Sequence, residues 1–125
     1  MARLTLDTGA LVAVERGDAA VREWLRRAAS SRQPPTVPTV VLTEAWRGGR
    51  QALIARLIRN CEIEPLDERL ARSAGELLAR TGTDDPVDAI VAQSAARRGD
   101  VVLTSDPDDM QRLADDLGSI RVRAI

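Results

Sequence analysis

Short apolar runs alternate with stretches of helical periodicity from one end of this chain to the other, and that alternation restricts the fold more than any other feature. Leu4 to Leu6, Thr36–Val37, CEIEPL, VVLT and IRVRAI have the character of strands. Between them lie TGALVAVERG, the segment after Asp18 with Val21, Trp24, Leu25 and Ala28 at helical spacing, Pro38 to Arg47 closed by Gly48-Gly49, QALIARLIRN, DERLARSAGELLARTG, PVDAIVAQSAARRG and DPDDMQRLADDLG. Strand–helix alternation of this kind predicts an α/β fold, a parallel sheet of four to five strands flanked by helices. No linker, repeat or low-complexity tract interrupts it, so residues 1–125 read as a single domain.

In such sheets ligands sit beyond the carboxyl ends of the strands, where the strand order reverses. Two carboxylates are expected there: Asp7 after the first strand and Asp106 after the fourth. Each also has a capping reading. Asp7 can cap the following helix. Asp106, followed by Pro107 and, three residues on, Asp109, has the layout of a capped helix start.

Composition removes most alternative chemistries. The chain has no His, so Ser-His-Asp and Cys-His catalysis and Cys/His zinc sites are excluded. It has no Lys, so all 18 basic residues are Arg and a phosphate-binding P-loop is excluded. Cys61 is alone and cannot form an internal disulfide. No apolar run is long enough to span a bilayer, and MARLTLDTGA lacks a signal-peptide core, which predicts a cytoplasmic protein with no membrane association.

Two further carboxylates lie beside apolar stripes. Glu44, in PTVVLTEAWRG, shares a helix face with Val40 and Val41. Burial there is costly unless the group is paired, by an Arg for instance, or functional. Asp88, in PVDAIVAQ, is in the first helical turn, with Val91 and Ala92 at same-face spacings. Asp84 and Asp85 read as loop and capping residues, and Asp100, Asp115 and Asp116 as solvated charges. Asp7, Glu44, Asp88 and Asp106 thus converge on one region. Carboxylates so grouped repel one another unless a cation joins them. Hard oxygen donors suit Mg2+ or Mn2+, and such ions make water nucleophilic near neutral pH. A chain without His or Lys can hydrolyse a phosphodiester in this way.

LDTGALVA with Asp7, TEAWRG with Glu44, PVDAIVAQSA with Asp88, and LTSDPDDM with Asp106 and Asp109 occur in order over essentially the whole chain. This pattern resembles the PIN domain, in particular the VapC-type toxin nucleases of VapBC toxin–antitoxin pairs. The resemblance implies a three-layer α/β/α fold with a 3-2-1-4-5 type of strand order. It also implies Mg2+-dependent endoribonuclease activity on an RNA substrate (Mn2+ able to substitute), homodimerisation, and neutralisation by a small VapB-like antitoxin. Asp7, Glu44, Asp88 and Asp106 match the family's acidic quartet, and Asp109 an additional acidic position.

On that basis Asp7 and Asp88 are expected as principal metal ligands, with Asp106 ligating directly or through water and Glu44 holding a water or a second ion. Asp109 would support the site or only cap its helix. Thr8 and Thr104 or Ser105 would supply hydroxyls to a carboxylate or phosphate, or serve as turn residues. The net charge is −1, and setting the five clustered acids aside leaves +4, carried by Arg alone. Arg47 and Arg50 are candidate RNA contacts through bidentate phosphate binding. Arg97 and Arg98 end their helix and suit its dipole. Trp24 and Trp46 are too few for a base-stacking platform; Trp46 is expected in the core or a subunit contact. The main alternative is a catalytically inactive PIN-fold module that binds RNA or protein. A receiver domain would want a Lys, and a haloacid-dehalogenase-like phosphatase an Asp where Gly9 stands.

Overall fold

The computed structural model describes residues 3–125. Five strands, β1 (Leu4–Leu6), β2 (Thr36–Pro38), β3 (Glu62–Glu64), β4 (Val101–Thr104) and β5 (Arg121–Ala124), form one sheet in the order β3-β2-β1-β4-β5. Every pairing is parallel. This is the expected strand order. Seven helices flank the sheet: α1 (Thr8–Glu15), α2 (Ala19–Ser30), α3 (Thr39–Ala45), α4 (Ala52–Ile58), α5 (Glu68–Thr81), α6 (Pro86–Ala96) and α7 (Pro107–Leu117). Helix α1 packs with α2, α3 and α4, while α5, α6 and α7 pack together and against β1, β4 and β5, which gives three layers. Among the described residues, no helix is long and apolar enough to cross a membrane.

The middle layer explains the apolar runs. Leu4, Leu6, Val102 and Leu103 are fully buried because both faces of β1 and β4 are covered. Helix α6 is buried over most of its length, with Ala89, Val91, Ala92 and Ala95 inaccessible; their small side chains let it lie close on the strands. Helices α5 and α7 each bury one stripe, Leu70, Ala74 and Leu77 in the first and Met110, Leu113 and Ala114 in the second. Truncating any of the fully buried Leu to Ala removes about 2–5 kcal/mol of stability.

Helix α3 stops earlier than its sequence suggests. It ends at Ala45, and Trp46 already has extended backbone (φ −83°, ψ 128°). The Gln51 side chain explains the early stop. It accepts from the Arg47 N–H and donates to the Ala45 carbonyl, satisfying groups that another helical turn would have used. Trp46 is consequently 37% exposed and does not enter the core. Strand β3 is shorter than expected, three residues on the sheet edge.

Two charge assignments also change. Asp100 is not a solvated charge: it is 1% exposed and accepts from the Thr5 hydroxyl at 2.7 Å and from Arg98 Nε at 2.8 Å. Arg98 does not sit at the helix end as a free dipole partner. Its guanidinium turns under α6, pairs with Glu64 and Asp100, and donates to Thr5 and Ser94. A turn charge that looks exposed in sequence is thereby buried and paired.

Candidate active site

Strands β1 and β4 are neighbours at the point where the strand order reverses, and their carboxyl ends set the first two acids side by side. The Asp7 N–H extends the ladder by donating to the Leu103 carbonyl at 3.2 Å. The Asp7 side chain caps α1, its Oδ1 accepting from the Ala10 N–H at 2.8 Å, and Thr104 also hydrogen-bonds the carboxyl. The residue is nonetheless 5% exposed, and burial outweighs those bonds to raise its pKa.

Asp106 behaves differently from its capping motif. It occupies the N-cap position of α7, yet its carboxylate makes no capping hydrogen bond. Its backbone N–H donates instead to Thr104 Oγ1 at 2.9 Å. Thr104, fully buried, therefore anchors the backbone of Asp106 at the end of β4, beside Asp7. The Asp106 carboxylate stays exposed.

The third and fourth acids come from the first turns of α6 and α7. Asp85 caps α6 by accepting from the Val87 and Asp88 N–H groups at 3.0 and 3.2 Å. That cap orients the turn carrying Asp88. Partial burial pushes the Asp88 carboxyl up to about 7, reinforced by Asp85, Asp7, Asp106 and Asp109. Asp109 is exposed and its pKa is raised mainly by the neighbouring Asp106. Carboxylate oxygens of Asp88, Asp106 and Asp109 lie within 4.8 Å of one another.

Glu44 reaches the same cleft from α3. It is exposed, not buried on an apolar face, and accepts a 2.5 Å hydrogen bond from the Thr8 hydroxyl. No Arg pairs with it within 4 Å among the described residues. The cleft, about 610 Å³, is walled by Asp7, Thr8, Glu44, Asp88, Ser105 and Asp106 together with Asp85 and Arg16. A smaller recess of about 260 Å³ adjoins it through Asp85 and Asp88 and contains Asp109. Arg47 and Arg50 are exposed and line neither cavity; Arg47 instead donates to the Thr43 and Trp46 carbonyls at the end of α3.

Three residues had no site role in the sequence reading. Asp85 is both cap and wall. Arg16 ends α1 inside the cleft. Gly9 lets α1 approach the β4–α7 turn: a Cβ there would lie 1.9 Å from Ser105 Oγ and 2.6 Å from its Cβ. The signal for Gly9 was its position, a glycine in the first turn of a helix immediately after a strand-end Asp.

The donors are all hard oxygens, three of them close enough for one ion, and among the described residues no Arg forms an ion pair with them. This set fits a small divalent cation and not a soft or imidazole-preferring metal.

The comparisons with known proteins agree with this fold. The PIN domain family model matches residues 4–116. No curated protein sequence matches significantly. Among solved structures, the chain is similar to DNA-bound VapBC from Salmonella typhimurium, with 22% identity over 99% of this chain and 98% of that one and a TM-score of 0.67. It is similar to VapBC2 from Rickettsia felis bound to a promoter DNA fragment, with 16% identity, 98% of each chain covered and a TM-score of 0.72. FitAcB from Neisseria gonorrhoeae gives 16% identity, 95% coverage of each chain and a TM-score of 0.65.

Proposed function

Because the chain belongs to the PIN domain family, we propose that it is a divalent-metal-dependent endoribonuclease, the toxin of a type II VapBC-like toxin–antitoxin pair. The observation that carries this reading is the uncompensated acidic cluster at the carboxyl ends of β1 and β4. A catalytically inactive binding module has no use for carboxylates that destabilise one another.

Asp88, Asp106 and Asp109 would hold Mg2+ or Mn2+, with Asp7 ligating through the oxygen that its helix cap leaves free. The bound ion supplies Lewis acidity toward a phosphoryl oxygen and a water acidic enough to attack phosphorus near neutral pH. Thr104 anchors the Asp106 backbone where β4 ends. The Thr8 hydroxyl occupies one oxygen of Glu44 and aims the other into the cleft, where it can accept a proton from the attacking water. Ser105 lines the cleft as a hydroxyl donor toward a phosphate. Arg47 and Arg50 extend the positive surface beyond the site.

A VapB-like antitoxin and a second copy of the chain complete the proposed assembly, a single-domain cytoplasmic protein. An apolar groove of about 520 Å³, lined by Val14, Val21, Leu25 and Leu57 with exposed Leu53 at its edge, supports a protein partner that inserts apolar side chains. Exposed Ile63 on edge strand β3, with Leu66 just beyond it, supports self-association.

The test is cleavage of total RNA by the purified chain, Asp7→Asn and Asp88→Asn, with Mg2+, Mn2+ or EDTA. Cleavage that requires metal and both aspartates is expected. A folded, partner-free chain that neither cuts RNA nor binds either ion by calorimetry would overturn the reading.

A further inference from the structure

Two arginines stand on opposite sides of the acidic centre. Arg16 closes α1, and Thr8, Val12 and Arg16 follow one another at intervals of four, so they share the helix face that walls the larger cleft. The helical rise puts Arg16 about 12 Å along the axis from Thr8. Arg112 follows Asp109 by one turn of α7 and lines the smaller recess. The two cavities share Asp85 and Asp88, so the carboxylates lie between the two guanidinium groups.

Neither guanidinium is held in a close ion pair, although Arg112 acts on Asp109 through space. Six other arginines form ion pairs, Arg26, Arg27, Arg72, Arg80, Arg97 and Arg98, whereas Arg16 and Arg112 have no acidic partner within 4 Å among the described residues. Arg16 stays unpaired although Asp18 and Glu44 line the same cleft. A C-terminal Arg also suits the dipole of α1, but that role does not explain Arg112, which is in the middle of α7.

Resting on the ribonuclease reading above, we propose that one RNA strand crosses the acidic centre from Arg16 to Arg112, each arginine holding a phosphate that flanks the scissile one. Guanidinium groups bind phosphate bidentately. The carboxylates repel every phosphate that a metal ion does not reach, so cations are needed on both sides of the centre. Cavities of this size are comparable to small-ligand sites and have room for a stretch of one strand. Arg16 and Arg112 are positioning residues in this arrangement.

The test uses binding of a randomised, fluorescently labelled single-stranded oligoribonucleotide with Mg2+ present, over about 50 to 200 mM salt, in the Asp88→Asn background so that the RNA stays intact. Each phosphate contact on a single strand adds about 0.7 to the slope of log K against log salt. Arg16→Gln and Arg112→Gln should each lower the slope by about that amount, and the double variant by about twice as much. Arg16→Lys should keep the slope, and thermal midpoints should not move. In the cleaving chain the same Gln variants should raise KM and leave kcat nearly unchanged.

An unchanged slope in the double variant would overturn the path in favour of RNA held by basic groups elsewhere. Absence of RNA binding would overturn it as well. A chain that shows the slope changes but does not cut RNA would leave the path standing and remove the nuclease reading.

Discussion

The protein clusters acidic groups, some of them buried, in two places and treats them in opposite ways. Beneath α6, Asp100 and Glu64 share the guanidinium of Arg98, with Thr5 and Ser94 completing the network. At the strand ends, Asp7, Asp88, Asp106 and Asp109 face one another with no cation. Both arrangements are costly to desolvate. The first is paired within the chain through Asp100 Oδ2 and Glu64, leaving only Asp100 Oδ1 without a partner, and it ties β3, β1 and the start of β4 to α6. The second is left for something from outside. Under the proposed function, unpaired charge marks the site, and charge pairing marks structure.

The difference can be broken at its paired end with the largest effect. Arg98→Ala leaves Asp100 buried without its partner and should destabilise the fold by about 3–5 kcal/mol, read as a fall in the denaturant midpoint. Metal affinity measured on the folded fraction should change little. If Arg98→Ala were as stable as the parent chain, the contrast between the two clusters would fail.

At the unpaired end the effect moves from stability to activity. Asp88→Asn should reduce metal-dependent RNA cleavage by at least about 100-fold, the scale of losing one charge-stabilising group. The same change removes repulsion, so the metal-free variant should melt no lower than the parent at neutral pH. An RNA-cleavage assay with Mg2+ checks the first half, and circular dichroism melts without metal check the second.

Gly9→Ala probes the contact that sets the acids in place. The added methyl collides with Ser105, and overpacking of this kind typically costs about 1–3 kcal/mol. Because Ser105 adjoins Asp106, metal affinity should fall with stability. Combining it with Ser105→Gly should recover both; no recovery would show that the clash is not the cause.

The smallest expected effect is in pH. A carboxyl whose folded pKa is raised prefers its protonated form in the folded state. Metal-free stability should therefore decline as pH rises from about 4, the ordinary Asp range, through about 7, where Asp88 ionises. Asp88→Asn or saturating Mg2+ should flatten that decline, whereas a slope unaffected by either would place its origin elsewhere.

The sequence displays these two clusters unequally. The strand-end acids were legible because their position follows from topology: each comes directly after an apolar run, or in the first turn of a helix with a marked start. The strand order followed from the resemblance to a family. The Arg98 network was not legible. Asp100 follows Gly99 and looks like any turn charge, and its partner Glu64 is supplied by another strand. Glu44 was placed in the right cleft for the wrong reason. Its helix ends one residue later, so a face that reads as buried opens to solvent. Of the two places expected for Trp46, the core is ruled out by the same early stop, which depends on the Gln51 side chain and not on local propensity.

The pairing of β1 with β4 joins residues roughly a hundred positions apart, Leu4 with Val101 and Leu6 with Leu103. Closing so long a loop is entropically slow, and parallel sheets of high contact order fold late. Asp7 and Asp106 have no common location until that closure happens. A chain still emerging from synthesis, with β1, β2 and β3 made but β4 not yet made, carries Asp7 and Glu44 without Asp88's neighbours in place. Assembly of the acidic centre thus coincides with completion of the sheet, and partly folded chains lack it altogether.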